Sequence, residues 1–244
     1  MTIDPILLTV ARISTFDGQR LLTNATGFFF RRDDRLFLVT SRHVVIDEPS
    51  GHLPERIEIE LHDDAGNMAS STVFSIPLYR DGKAVWRQGI DGTGPVDIAA
   101  LEIDLAAFPA NAVYRAFTPA HVLQGGDPVE VGTSLHVVGF PLGFHDTLHH
   151  LPVVRQAVLA SAFGLRFQGN GYFLTDARLH RGSSGAPVAM RIPAPVGVHR
   201  ELPWMLLGVH GSRFDVGSRD LSQDEALGLN CAWYADILLT LTEG

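Results

Sequence analysis

The residues of this chain best suited to chemistry lie between Leu179 and Val188, LHRGSSGAPV. Glycine on both sides of a serine pair, closed by Ala186-Pro187, describes a tight loop of low bulk whose backbone can aim N–H groups at one point. Such a loop can form an oxyanion hole. Ser184 would attack a carbonyl, and the N–H groups of Gly182 and Ser184 would stabilise the oxygen that turns negative. The same residue types also build ordinary surface turns, so the loop acquires meaning only with partners. A serine hydroxyl is a weak nucleophile near neutral pH; it needs a histidine base and an acid that holds the histidine. His43, in the apolar β-like run FLVTSRHVV, and Asp97, in GPVDIAALEI, are the upstream candidates, in the chain order His43, Asp97, Ser184. His43 would take the serine proton and pass it to the leaving group, and Asp97 would fix the imidazole tautomer.

A different serine chemistry is tested by chain order. An α/β-hydrolase requires G-x-S-x-G, then an acid, then a histidine. Here Ala186 holds the fifth motif position, and His199 and His210 precede Asp215, Asp220, Asp224 and Asp236. Glu201 before His210 is the one pairing in the required order, and the alternating strand-helix pattern is missing.

The elements that must position these groups read as strands and turns. Ile6 to Ile13 reads as a first strand, and Arg31 to Arg35 as a polar hairpin tip between apolar strands. Ile57 to His62 alternates as a half-buried strand should, and Ser71 to Leu78 and Ala84 to Trp86 continue the pattern. Asp104 to Gly126, with Pro109 and Pro119, is looser. Strands resume at Val129–Val131, Ser134–Phe140, Val153–Ala160, Gly171–Thr175, Ala186–Met190, Met205–His210 and Leu229–Trp233, and Ala235–Leu241 reads as a short closing helix. Many short strands with Gly/Pro turns argue for an all-β barrel or sandwich.

TSRHVV resembles the histidine motif of trypsin-like serine proteases, DIAALEI their D-I-A-x-L motif, and RGSSGAPV their G-x-S-G-x-P motif. The bacterial HtrA/Deg and glutamyl endopeptidase branches are the most similar, and ATGFFFRRDDRLFLVTSRHVV and VVGFPLG match further strands of that pattern. The resemblance implies two six-stranded Greek-key β-barrels with a cleft between them. Residues 1–110 would be the barrel carrying His43 and Asp97, residues 111–126 a linker, and residues 127–244 the barrel carrying Ser184 and the closing helix. It also implies a serine endopeptidase acting on polypeptides through an acyl-enzyme. The alternative in the same fold is a peptide-binding or regulatory module whose activity is latent or depends on an unidentified protein activator.

The resemblance extends to specificity. GVHGS is similar to the G-x-H segment of glutamyl endopeptidases, which makes His210 a candidate to bind the side chain before the scissile bond. Arg178 falls where the family often places the pocket floor, and Arg213 is a third candidate; a guanidinium there would suit an acidic side chain. A preference for acidic or glutamine residues is the resulting expectation. Leu179 stands where glutamyl endopeptidases carry a small hydroxyl residue, and Ser183 where many secreted relatives have an aspartate that pairs with a newly cut N-terminus.

Bulk properties exclude other classes. The 244 residues are 45% hydrophobic and 19% charged, with net charge −8 and a single lysine, Lys83, and no basic block marks a nucleic-acid partner. Cys231 is the lone cysteine, so no intrachain disulfide can form. The apolar run near the N-terminus, Ile6 to Ala11, follows Asp4 and is too short for a signal segment, and no stretch reaches membrane-spanning length. A cytoplasmic protein with no membrane partner is expected. His145, His149 and His150 in GFHDTLHHLP are read as solvated loop histidines. Neither a metal nor a cofactor is assigned.

Overall fold

The computed structural model describes residues 3–123, 129–193, 201–213 and 227–244. Its first sheet is built from β1 (Val10–Asp17), β2 (Arg20–Arg32), β3 (Arg35–Thr40), β4 (Arg56–His62), β5 (Ser71–Pro77), β8 (Trp86–Asp91) and β9 (Gly94–Glu102), with β6 (Tyr79–Arg80) and β7 (Lys83–Ala84) forming a small hairpin apart from it. The seven strands run in the order β5-β4-β1-β2-β3-β9-β8, and every paired neighbour is antiparallel. The two edges of this sheet meet at one point, where Val85 N–H, just before β8, donates to the carbonyl of Leu78, just after β5 (3.0 Å). The second sheet is a closed six-stranded barrel in the order β10-β11-β12-β15-β14-β13, from β10 (Ser134–Gly139), β11 (Val153–Leu159), β12 (Tyr172–Asp176), β13 (Pro187–Arg191), β14 (Trp204–Arg213) and β15 (Leu229–Tyr234). A turn of helix, α1 (Arg42–Val45), follows β3, and α2 (Ile237–Leu241) closes the chain. The all-β class and the closing helix are as expected from the sequence, and the first sheet carries one strand more.

Of the three larger apolar cores, one fills each half and the third joins them. Successive side chains of a strand point to opposite faces, so in the run Phe28-Phe29-Phe30 the middle ring enters the interior of the first sheet with Leu38, Ile57 and Ile59. Phe28 and Phe30 point the other way, into a core shared with Val138, Phe140, Leu206 and Val209 of the second barrel. Leu135, Val137, Phe173 and Val188 fill that barrel. A fully buried phenylalanine contributes about 1.5–3 kcal/mol, so the shared core holds the two halves in one relative position.

Some local expectations differ. The N-terminal strand begins only at Val10, because Asp4 accepts a hydrogen bond from Ile6 N–H (3.2 Å) and Pro5 follows it, which starts a 3-10 turn over Pro5–Leu8. Val129–Val131 forms no strand. The looser segment is tied down at both ends of its described part, by bridges from Val113 to His62, Phe117 to Phe30 and Val122 to Leu206. Among the described residues, no helix is long and apolar enough to cross a membrane.

Candidate active site

β3 ends at Thr40 and the chain turns sharply, so His43 sits on the single turn α1 and not in the β-run that its apolar neighbours suggested. Val44 and Val45 are buried beneath it and leave the imidazole on the open side. Asp97 lies within β9 and grips His43 twice. One carboxylate oxygen accepts from the His43 backbone N–H (2.9 Å) and the other lies 2.8 Å from Nδ1 of its ring. With Nδ1 committed to Asp97, Nε2 is the nitrogen left to accept a proton. Burial disfavours the imidazolium of His43, but the hydrogen bond and charge of Asp97, helped by Asp47, outweigh it and raise the pKa above its ordinary value.

The serine loop is fastened to the first sheet through Thr26 of β2. Its N–H donates to the Ser184 carbonyl (3.0 Å), and its hydroxyl donates to the Gly182 carbonyl (2.8 Å) while accepting from Phe140 N–H (3.1 Å). Its own carbonyl accepts from the Thr40 hydroxyl (2.8 Å), three residues before His43. Gly185, at φ 82, lies so close that a Cβ would stand 2.2 Å from both the Thr26 carbonyl oxygen and Thr40 Oγ1. Only glycine satisfies the backbone angle and the contact together.

The loop's carbonyls are turned into this packing. Leu142 N–H donates to the Arg181 carbonyl (2.5 Å), and Ala186 N–H donates to the Ser183 carbonyl (2.9 Å). In a trans peptide the C=O and the following N–H point in opposite directions. The N–H groups of Gly182 and Ser184 therefore face away from those partners, and neither has an acceptor among the described residues.

The trypsin-like peptidase domain family matches residues 25–198, which include all three of these segments. The chain belongs to that family. Its fold is similar to the serine endoprotease from Yersinia pestis at 16% identity and TM-score 0.57, covering 97% of this chain. It is also similar to the active form of the Rv3671c protease from M. tuberculosis at 15% identity and TM-score 0.52, covering 98% of this chain and 82% of that one. The chain spans 62% of the length of the Yersinia chain. No curated protein sequence matches it. These likenesses bear on the fold, which is that of a chymotrypsin-like double barrel.

Beside Ser184 the structure has a cavity of about 250 Å³ lined by Leu179, His180, Arg181, His210, Gly211, Ser212 and Asn230. His210 is thus next to Ser184, as the sequence suggested. Burial first, and then the charge of nearby His43, pushes its pKa down to about 3, so the ring is neutral. Its Nδ1 is buried with no hydrogen-bond partner among the described residues. Arg178 does not line the cavity: strand-like alternation buries Leu179 and turns Arg178 outward, where its carbonyl accepts from Arg155 (2.7 Å). Arg213 ends β14, and its side chain lies outside the described residues.

Asn230, which sequence reasoning passed over, is 1% exposed at the cavity wall. Its amide donates to the carbonyls of Ala177 (2.7 Å) and Gly228 (3.0 Å), which fixes its orientation and leaves Oδ1 without a partner. Thr26 and Ser41 were also passed over. The Ser41 hydroxyl donates to the His210 carbonyl (3.1 Å), the same oxygen that accepts from Gly185 N–H (2.8 Å). For Asn230 the one available signal was a lone polar residue within an apolar run, in GLNCAW.

Proposed function

We propose that this trypsin-like peptidase is an endopeptidase in which His43, Asp97 and Ser184 form a catalytic triad. Ser184 Oγ bonds to the substrate carbonyl carbon as its proton moves to His43 Nε2. The proton then passes to the leaving amine as the C–N bond breaks, and water releases the acyl group by the same route. The N–H groups of Gly182 and Ser184 serve the oxyanion. The observation that carries this reading is the double grip of Asp97 on His43, at 2.9 and 2.8 Å, which sets the ring for proton transfer. The inward-turned Arg181 carbonyl supports an oxyanion loop that needs no partner to assume its working shape.

Of the two side chains expected before the scissile bond, glutamine fits better than glutamate. Nδ1 of His210 has nothing to donate to, so the proton belongs on Nε2, where a neutral ring can donate to a substrate amide oxygen. A carboxylate would enter a site whose imidazole carries no charge at neutral pH. The test is labelling by a fluorophosphonate probe, expected for the wild type and absent in Ser184→Ala, together with a peptide-library cleavage profile. A folded wild type that does not label would point instead to a peptide-binding module. Abundant cleavage after Lys or Arg would remove the role given to His210.

A further inference from the structure

The loop between β10 and β11 carries three histidines, and the fold lays it against β4 of the first sheet. His62 of β4 has its Nε2 2.7 Å from the His149 carbonyl, and Glu60 of the same strand faces His150. One ring nitrogen from each of His145 and His150 and one oxygen of Glu60 lie within 4.8 Å of one another. We propose that these three side chains bind a divalent transition-metal cation of the zinc class, which pins the β10–β11 loop to the first sheet.

Each ligand is prepared for the task. Nδ1 of His145 lies 2.7 Å from the Gly143 carbonyl, which fixes the ring and leaves Nε2 as its free donor; a backbone carbonyl in this position is the usual outer support of a metal-bound histidine. His150 is held at φ 54 by the return of the loop, and its ring stacks at 30° to that of His145 with centroids 6.4 Å apart. Nδ1 of His150 stands 2.8 Å from Glu60 Oε1, yet the pair lies outside hydrogen-bonding geometry and the nitrogen has no other partner. Two donor atoms that close, without a proton aligned between them, suit lone pairs directed at a shared cation. Glu60 is steadied by Arg12 (2.9 Å) and by the Ser71 hydroxyl (3.1 Å).

Two imidazole nitrogens and one carboxylate select zinc-class ions over calcium or magnesium, which demand oxygen ligands. Three protein ligands leave a fourth position for water. The loop so pinned also supplies Leu142, whose N–H holds the Arg181 carbonyl, and Gly143, packed against Gly182. Occupancy therefore bears on the loop given the oxyanion role above, a consequence that rests on the peptidase reading; the binding itself does not.

The experiment is a titration of chelator-treated full-length protein with Co²⁺, followed by visible absorption. The expected result is a saturating band at one equivalent, displaced by Zn²⁺, lost in His145→Ala and in His150→Ala, and kept in His149→Ala. Should either of the first two variants fail to fold, Co²⁺-shifted ring resonances of two histidines in the NMR spectrum of the wild type serve in its place. Absence of both the band and the shifted resonances, or a band that survives His145→Ala and His150→Ala together, overturns the site. With cobalt bound, faster fluorophosphonate labelling is expected; an unchanged rate removes the link to catalysis and leaves the binding result standing.

Discussion

Replacing Gly185 with alanine tests whether the serine loop is shaped by its contact with the first sheet. The residue sits at φ 82, and an added Cβ would stand 2.2 Å from the Thr26 carbonyl oxygen, 2.2 Å from Thr40 Oγ1 and 2.8 Å from Thr40 Cα. Carbon atoms settle about 3.5–4.0 Å apart, so loop and strand must part by roughly 1 Å. The backbone angle itself costs alanine roughly 1–2 kcal/mol. Parting the surfaces also breaks the Thr26–Ser184 and Thr26–Gly182 hydrogen bonds, each worth about 1 kcal/mol. The sum, about 3–4 kcal/mol, corresponds to a fall in Tm of roughly 10 °C for a chain of this size. A displacement of about 1 Å at a reacting group costs on the order of 100-fold in rate, and kcat/KM and fluorophosphonate labelling are expected to fall together by that factor. Gly132 provides the control: its φ is 89, and a Cβ there would meet nothing within 4 Å. Gly132→Ala therefore isolates the backbone term and leaves activity intact. Equal Tm losses in the two variants, with wild-type kcat/KM in Gly185→Ala, would refute the reasoning.

Three further outcomes are expected. Asp97→Asn removes the hydrogen bond and charge that raise the pKa of His43, so the acid limb of the kcat/KM profile should move to lower pH, while kcat falls roughly 10,000-fold; an unmoved limb would show that another group sets it. His210 accepts a proton near pH 6.5 when unfolded but only near pH 3 when folded, so its contribution to stability is whole above pH 6.5 and drains away as pH falls through that window. Urea unfolding across this range should show a shallower acid loss in His210→Gln than in the wild type, and parallel curves would contradict the buried neutral ring. Thr26→Val keeps the shape of the side chain but orphans the Gly182 carbonyl and Phe140 N–H; a loss of about 2–5 kcal/mol in urea unfolding is expected, with slower labelling of Ser184.

How far these features can be read from the sequence depends on whether a signal is local. Alternation in Ile57 to His62 announces a strand, because burial on one face repeats every second residue. The histidine turn is invisible to that logic, since α1 has only four residues and no helical period to display. Arg178 lies outside the cavity beside Ser184 for a related reason: counting back from Ser184 locates a residue along the chain but not the face it points to, and Leu179 takes the buried one. The hydrogen bonds of Thr26 and the cluster of Glu60 with His145 and His150 join segments brought together only by the packing of one half on the other. No spacing rule within a single segment could have found them.

On the proposed reading, that dependence on packing places the chemistry at the joint between the halves. The His210 carbonyl accepts the Ser41 hydroxyl on one side and Gly185 N–H on the other, so a single oxygen of the second barrel clamps both the start of the histidine turn and the end of the serine loop. Thr26 does the reverse from the first sheet, holding the Ser184 and Gly182 carbonyls. Each half thus shapes the working groups of the other. If the halves separated, those carbonyls would lose their partners and the peptides of Gly182 and Ser184 would be free to rotate, removing the fixed N–H donors that oxyanion stabilisation requires. The apolar core shared by Phe28, Phe30, Phe140 and Val209 then has a second consequence beyond stability: docking of the halves and assembly of the reactive loop are one event.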